Sequence, residues 1–219
     1  MIRRLVVVAG AAIALSGCGP TTTASWNMNE TTGRTMNDSV GNHDGTASAS
    51  VLFNQAGRNG SRAYAFNGTD SIVRVPHAAD LNPGTGDFSF GAAVNFTELP
   101  PPSNWDVIRK GVDGNAGGYY KLEVFLGVSG GARARCFFRD GDGTQISVVR
   151  GTGLSDGQWH LLTCSRTGGN VSIKVDGGTS SNPVTGLGSI ANTAELTVGA
   201  QLPGGDFFKG RIDDAQVST

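Results

Sequence analysis

Carboxylates and imidazoles are the groups most able to do chemistry in this chain, and their spacing does not build a catalytic site. Glycoside hydrolysis needs two carboxylates held close together on either side of the scissile bond. No two of the four Glu residues lie within six residues of each other; they are Glu30, Glu98, Glu123 and Glu195. The chain has three His residues but no candidate for a free exported Cys, so a catalytic triad with a Cys nucleophile has no support. We interpret His160 as a structural strand histidine. The sequence therefore predicts a protein that is not an enzyme.

A sugar-binding site needs an exposed aromatic ring and planar hydrogen-bonding groups. Trp105 lies beside a Pro-rich loop and Tyr119 beside a Gly-rich one, so these two are the aromatic candidates. Arg133, Arg135 and Arg139 form a stripe on one face of a strand, which could recognise acidic sugars or a protein surface. The alternative is a solvated outer face with Trp105 buried between two sheets, because sandwich cores take large aromatic residues.

The N-terminal segment has the pattern of a secretory signal over residues 1–17, with a basic start and then an apolar run too short to span a bilayer. The Leu-Ser-Gly-Cys sequence that ends at Cys18 resembles a bacterial lipobox, in which the Cys is lipidated and becomes the new N-terminus. The alternative is an ordinary signal peptide with a chance Cys. We expect an exported protein that is lipid-anchored at Cys18 and faces the periplasm or the cell exterior. Residues 18–25 would form its tether and residues 26–219 its domain.

Cys136 and Cys164 are the two remaining cysteines, and export places them in an oxidising compartment. Strand alternation puts Cys136 on the apolar face of its strand with Ala134 and Phe138, and Cys164 on the same face as Leu162. We predict a disulfide between them, on strands that could be neighbours. The alternative is a pair of buried free thiols.

Composition and periodicity predict the elements that must hold these residues. The chain has 219 residues with 34 Gly, and 17 basic against 18 acidic residues give a net charge of −1, which argues against a nucleic-acid binder built on a basic face. About twelve short apolar runs recur between turn signals, without a long helical period outside the signal. Asn67-Gly68 between two such runs predicts a hairpin. The fold class is therefore all-β, a two-sheet antiparallel β-sandwich or jelly roll.

The order of several motifs adds a family to this fold class. The motifs are Trp26, Asp38-Ser-Val-Gly-Asn-His-Asp-Gly45, Ala65-Phe-Asn-Gly-Thr-Asp-Ser-Ile-Val-Arg-Val75, Leu154-Ser-Asp-Gly-Gln-Trp-His160 and Phe208-Lys-Gly-Arg-Ile-Asp213. Together they resemble the laminin-G-like jelly roll of the concanavalin A-like lectin/glucanase superfamily. The resemblance covers Trp26 to Val217 and implies two packed antiparallel sheets of about six strands each. It implies less about function, because this fold hosts lectins, adhesion modules, hydrolases and spacers.

The turn from Asp38 to Asp44 offers the carboxylate and carbonyl oxygens that a structural Ca²⁺ ion needs. In related domains the N-terminal loop and the last strand lie together, so Asp213 or Asp214 could complete a site with Asp38 and Asp44. The alternative is that Asp38 and Asp44 only cap turns. Asp140-Gly-Asp-Gly-Thr144 lacks the closing acid of a calcium loop and predicts a hairpin turn instead.

These features predict a membrane-anchored, non-catalytic module that binds an extracytoplasmic carbohydrate or protein and no nucleic acid. Two alternatives stay open. One is a glycoside hydrolase or lyase of the same superfamily with an unrecognised site, although the chain lacks the Glu-x-Asp-x-(x)-Glu motif of the superfamily's retaining glucanases. The other is a structural or assembly module of the cell envelope.

Overall fold

Two eight-stranded antiparallel sheets make up the fold. The structure is a computed structural model that describes residues 20–114 and 116–219, so the predicted signal peptide and Cys18 lie outside the described residues. Sixteen strands and two 3₁₀ turns, Arg58–Gly60 and Ala79–Leu81, are found in these ranges. None of the helical segments described is long and apolar enough to cross a membrane. The predicted all-β sandwich is confirmed, with more strands than expected.

Sheet 1 contains the first and the last strands. Its strands are β1 (Thr22–Trp26), β4 (Leu52–Ala56), β5 (Arg62–Asn67), β7 (Phe88–Asn95), β12 (His160–Thr167), β13 (Asn170–Val175), β14 (Gly178–Pro183) and β16 (Lys209–Ser218). The order is β14-β13-β12-β7-β16-β5-β4, and β1 pairs with the second half of β16. Because β1 begins at Thr22, the fold starts inside the segment 18–25 that the sequence assigned to the tether. That boundary was wrong, since pairing with β16 satisfies the backbone groups of this segment.

Sheet 2 contains the remaining eight strands. They are β2 (Thr35–Met36), β3 (Gly45–Ala47), β6 (Val73–Val75), β8 (Trp105–Lys110), β9 (Tyr119–Leu126), β10 (Ala132–Arg139), β11 (Gln145–Arg150) and β15 (Leu196–Val198). The order is β11-β10-β9-β8-β15-β6-β3-β2. The turn after Asn67 leads from β5 in sheet 1 to β6 in sheet 2, so the predicted hairpin there is wrong. Asp140–Thr144 does form the predicted hairpin turn, between β10 and β11.

The core follows from period-two alternation in the long central strands. On β7, Phe88 and Phe90 point inward and are fully buried. They meet Tyr120 of β9 and Phe138 of β10, with ring centroids 4.6 to 6.0 Å apart. Burial of such rings dominates the stability of a sandwich core and fixes the register of the strands that carry them. The outer faces of both sheets are thus left to position functional groups.

The disulfide joins the two sheets. Cys136 of β10 and Cys164 of β12 are fully buried and bonded to each other, with their Cα atoms 5.6 Å apart. The predicted bridge is confirmed. The expectation that the two strands could be neighbours is wrong, because β10 lies in sheet 2 and β12 in sheet 1. Both cysteines point into the core, as alternation predicts, and meet across it.

Candidate functional site

Trp105 is not an exposed binding surface. Its side chain is buried and makes edge contacts with Phe96 and Phe208, with ring centroids 5.8 Å away in both cases. Trp105 is paired with Val124 of β9, whose side chain faces the core, and the same pleat turns Trp105 inward. The prediction of a ligand-binding role for Trp105 was therefore wrong, and the alternative of a buried tryptophan holds.

Tyr119 is also covered. Its ring stacks on Phe137 with centroids 5.4 Å apart, and the guanidinium carbon of Arg109 lies 4.9 Å from its centroid. These contacts bury Tyr119 on the outer face of sheet 2, and burial raises the pKa of its hydroxyl. Its aromatic face is thus taken up within the protein, so Tyr119 does not offer the expected surface for a sugar.

The three arginines of the β10 stripe have separate environments. Arg135 forms an ion pair with Glu123, and Arg139 lies 3.6 Å from a carboxylate oxygen of Asp113. Arg133 donates from Nε to the carbonyl oxygen of Gly151 at 2.9 Å and makes no ion pair within the described ranges. The structure therefore does not form one arginine surface from the stripe, and it places Arg133 apart from Trp105 and Tyr119.

Two carboxylates lie side by side on the outer face of sheet 2. Asp106 of β8 is paired with Glu123 of β9, and neither is exposed. Lys121 bridges them, and Arg109 donates to Asp106 at 2.9 Å. Burial raises the pKa of Asp106, although Lys121 and Arg109 oppose that rise. The sequence did not indicate this pair because its members come from different strands. Closed off by their basic neighbours, they cannot touch a substrate in this structure.

The Asp38 loop is held by hydrogen bonds from its own backbone. The Asp38 carboxylate accepts from the backbone N–H groups of Ser25, Val40 and Gly41 at 2.9 to 3.0 Å, and lies 2.9 Å from His43 Nδ1. Burial raises the pKa of Asp38, but these donors outweigh burial and hold it at about 2. Asp44 in turn accepts the backbone N–H of Asp38 at 2.8 Å. Both side chains thus act as turn caps, the alternative to calcium ligands.

Asp213 has different partners from the Asp38 loop. Its buried carboxylate accepts from the Arg58 backbone N–H at 2.9 Å and from the Ser61 hydroxyl at 2.7 Å. In the part of the chain that the structure describes, no group of three or more His, Cys, Asp or Glu residues could hold a metal ion. The structure therefore does not bring Asp38, Asp44 and Asp213 together as one set of calcium ligands.

Asp213 instead positions a surface turn over sheet 1. It lies where the pairing of β16 with β7 shifts between Asp213 and Gln216, so a bulge interrupts the strand. Burial raises the pKa of Asp213, and its bonds to Ser61 and to the Arg58 backbone only partly counter that effect. The bulge residue Asp214 has a left-handed backbone, with φ at +51°. Bulges and left-handed non-glycine residues often redirect a side chain at a functional site.

A small pocket opens beside this bulge, and we call it the bulge pocket. Its volume is about 250 Å³ and its lining residues are Ser25, Asn27, Arg58, Gly91, Leu161, Thr163, Asp214 and Gln216. Four neighbouring strands supply most of them, namely β1, β7, β12 and β16. Gly91 lies at the bottom of the pocket and leaves it without a side chain there, because a Cβ atom would lie 2.2 Å from the carbonyl oxygen of Leu162. Packing between β7 and β12 therefore keeps the floor free of a side chain.

The bulge pocket presents hydrogen-bonding groups that the protein itself does not use. Arg58 Nη2 donates to Asp214 at 3.2 Å, so these two residues form a charged pair at the pocket. The side chains of Asn27, Thr163 and Gln216 make no hydrogen bond to any other described residue. Amides, hydroxyls and a charged pair can together donate to and accept from a polyhydroxylated ligand. Nothing in the sequence indicated this set, since its members are spread along four strands and two connections.

The other features that could indicate a nucleophile are structural. A Gly-x-Ser-x-Gly sequence at 127–131 forms the connection of the β9–β10 hairpin, not the strand-to-helix turn that exposes a catalytic Ser. His160 lies between two carboxylates, with Asp176 at 2.6 Å from Nδ1 and Asp156 at 3.1 Å from Nε2. These contacts fit the structural role predicted for His160.

Comparison with known proteins gives the family and the fold. A family model named Laminin_G_3 and described as concanavalin A-like lectin/glucanases superfamily matches residues 67–219. No curated protein matches the chain in sequence.

Three solved structures illustrate the likeness. The binding domain of botulinum neurotoxin serotype D has a TM-score of 0.65 at 14% identity, covering 90% of this chain and 48% of that one. Domain 4 of AbnA, a GH43 extracellular arabinanase from Geobacillus stearothermophilus in complex with arabinotriose, has a TM-score of 0.63 at 19% identity, covering 91% and 93%. Mouse laminin alpha1 domains LG4-5 have a TM-score of 0.56 at 17% identity, covering 71% and 41%. This chain thus spans about half of the toxin domain, and identities this low carry the fold alone.

Proposed function

Because this chain belongs to the concanavalin A-like lectin/glucanase superfamily, we propose that it is a non-catalytic binding module for an extracytoplasmic carbohydrate and that the bulge pocket holds the sugar. The observation that carries the proposal is the group of unused hydrogen-bonding side chains around the Arg58–Asp214 pair. Arabinotriose is bound by one structural neighbour, the arabinanase domain, and another neighbour is named a binding domain. These names support carbohydrate binding as the general activity to test first.

The chemistry of the pocket favours a neutral sugar. Arg58 and Asp214 compensate each other, so the pocket carries a donor and acceptor pair without an excess of charge. Thr163 on β12 and Gln216 on β16 add a hydroxyl and an amide on either side of Gly91 in β7, the strand between them. Leu161, 40% exposed, adds apolar surface at the rim. A sugar ring has hydroxyls around its edge and C–H groups on its faces, which match these two kinds of surface. The volume suits one ring at a time.

The proposal also includes the membrane anchor. A lipid on Cys18 would leave only residues 19–21 before β1 begins at Thr22, so the domain would lie close to the membrane surface. Metabolic labelling with an alkyne fatty acid tests this part separately. We expect the wild-type protein to be labelled and to stay with the membrane fraction, and Cys18→Ser to lose the label. Labelling that persists in Cys18→Ser would contradict the anchor without affecting the binding site.

Binding is tested with purified full-length protein on a glycan and polysaccharide array, followed by titration calorimetry with the best oligosaccharide. We expect Gln216→Ala and Thr163→Ala each to weaken binding by about threefold to tenfold, because each removes a hydrogen bond worth about 0.5–1.5 kcal/mol. Ser165→Ala is the matched control, since Ser165 lies on the same face of β12 but outside the pocket. Equal affinities in all four proteins would place the ligand elsewhere.

The two alternatives give other outcomes in the same experiment. A hydrolase or lyase would release shorter products from the bound glycan, and we propose no such activity because the Asp106–Glu123 pair is buried. A structural module of the envelope would leave the array blank while a folded, oxidised sample captured protein partners from native membranes. A blank array on such a sample contradicts the carbohydrate proposal.

A further inference from the structure

A second pocket lies at the edge of the sandwich, where β11 of sheet 2 faces β14 of sheet 1. We call it the edge pocket. It has a volume of about 350 Å³, and Arg133, Arg150, Thr152 and Ser180 are among its lining residues. None of these residues belongs to the bulge pocket. A ligand of the edge pocket would therefore bind independently of the proposed function, whether or not the bulge pocket holds a sugar.

Both arginines are held in place by neutral groups. Arg150 donates from Nη1 to the carbonyl oxygen of Thr179 and to the hydroxyl of Ser180, each at 3.0 Å. Arg133 donates from Nε to the carbonyl oxygen of Gly151 at 2.9 Å. Each contact fixes one edge of a guanidinium group and leaves its other N–H donors unused. The two side chains are thus oriented before a ligand arrives, which lowers the entropic cost of binding.

The charge of this pair is not compensated. Neither Arg133 nor Arg150 makes an ion pair with a carboxylate in the described part of the chain, whereas Arg135, two residues further along β10, is paired with Glu123. Two like charges lining one pocket repel each other, and an anion between them removes that repulsion. Guanidinium groups bind carboxylate and sulfate oxygens with paired N–H donors.

We propose that the edge pocket binds the carboxylate or sulfate group of an acidic saccharide. Thr152 and Ser180 supply hydroxyls beside the arginines, and Val149 and Val175 supply apolar surface in the same lining. The anion would lie between the two guanidinium groups, and the ring that carries it would pack on the apolar side. A saccharide fits better than a free anion, because a free anion would use only the charged part of the pocket.

The test is titration calorimetry of the full-length protein with trigalacturonic acid and with a heparin-derived disaccharide. The methyl ester of trigalacturonic acid is the neutral control ligand, and sodium sulfate is the free-anion control. Arg133→Gln and Arg150→Gln test the site, and Arg133→Lys keeps the charge while removing the planar donor group. Arg62→Gln is the matched control protein, because Arg62 is an exposed arginine outside both pockets and its loss changes the net charge equally.

We expect saturable binding of at least one acidic saccharide, at least tenfold tighter than binding of the ester or of sulfate. We expect Arg133→Gln and Arg150→Gln to weaken it at least tenfold, Arg133→Lys to weaken it less than Arg133→Gln does, and Arg62→Gln to leave it unchanged. Thermal unfolding of each variant shows whether it is folded. If Arg150→Gln does not fold, the result for Arg133→Gln decides the test. Three outcomes would overturn the proposal: equal affinity for acid and ester, an equal loss in Arg62→Gln, or no binding of either acidic saccharide.

Discussion

Loss of the Cys136–Cys164 bridge is the perturbation whose effect on stability can be worked out most directly from the structure. The bridge joins the two sheets and closes a loop between residues separated by 28 positions. In the chain-entropy account, a cross-link stabilises a protein by restricting its unfolded state. For a loop of this length the restriction amounts to about 12 cal/mol/K, or about 3.6 kcal/mol at 25 °C.

That value is large for a protein of this size. Natural domains unfold with a free energy of about 5–15 kcal/mol, so the bridge would supply a quarter or more of the total. At about 2–4 °C per kcal/mol for a chain of this length, the midpoint of thermal unfolding should fall by roughly 7–14 °C when the bridge is absent. Both sulfurs are fully buried, so replacing them with Ala would add a cavity cost to this entropic one.

The assay is urea unfolding of wild-type protein in its oxidised form and after reduction and refolding in a reducing agent. This comparison keeps both sulfur atoms and isolates the cross-link, whereas Cys136→Ala/Cys164→Ala shows the added cavity cost. We expect the reduced protein to lose about 3–4 kcal/mol and the double variant to lose more. A loss below about 1 kcal/mol on reduction, or labelling of both thiols in the native exported protein, would refute this account of the bridge.

Other parts of the structure give three further predictions. Burial lowers the pKa of His43, but its hydrogen bonds to Asp38 and Asp80 outweigh burial, so the pKa is raised. Protonated His43 therefore stabilises the fold at low pH, and this stabilisation is lost as the pH rises through the raised pKa. Urea unfolding should show a larger advantage of wild type over His43→Gln at pH 6 than at pH 8.5, and an equal advantage at both would contradict it. Because Trp105 is a core residue, Trp105→Phe should lower the free energy of unfolding by about 1–3 kcal/mol without changing the affinity for glycan. If calorimetry shows that the folded variant has lost affinity, Trp105 is a ligand-binding residue after all. Melting should be the same in EDTA and in excess Ca²⁺, since the predicted carboxylates are not assembled, and a rise in Ca²⁺ would revive the metal site.

The fold could be predicted because its signals are local. Alternation in β7 and β10 places Phe90 and Cys136 in the core, and the turn chemistry of Asp140 marks the β10–β11 hairpin. What alternation cannot give is the sheet to which each strand belongs. A chain can turn back into the same sheet or cross to the other one after the same Asn-Gly turn, and the turn after Asn67 crosses. Likewise, the alternation that turns Cys164 inward is the same whether its partner lies on a neighbouring strand or in the opposite sheet.

The candidate sites could be predicted much less well. Residue type and a neighbouring loop indicate Trp105 and Tyr119 as binding residues, but their exposure depends on which strand lies opposite and which side chains pack above them. Asp214 and Thr163 share a pocket although they are far apart in sequence, and only strand order brings them together. Arg133 was predicted as a binding residue, and the structure places it in a separate pocket with Arg150.

A crystal structure of the full-length protein with the oligosaccharide that binds best on the array is the most direct test of the central claim, that the bulge pocket is the carbohydrate site. We predict a sugar ring in contact with Arg58, Asp214 and Gln216. Density for the saccharide at any other surface, with the bulge pocket holding only water, would contradict the account.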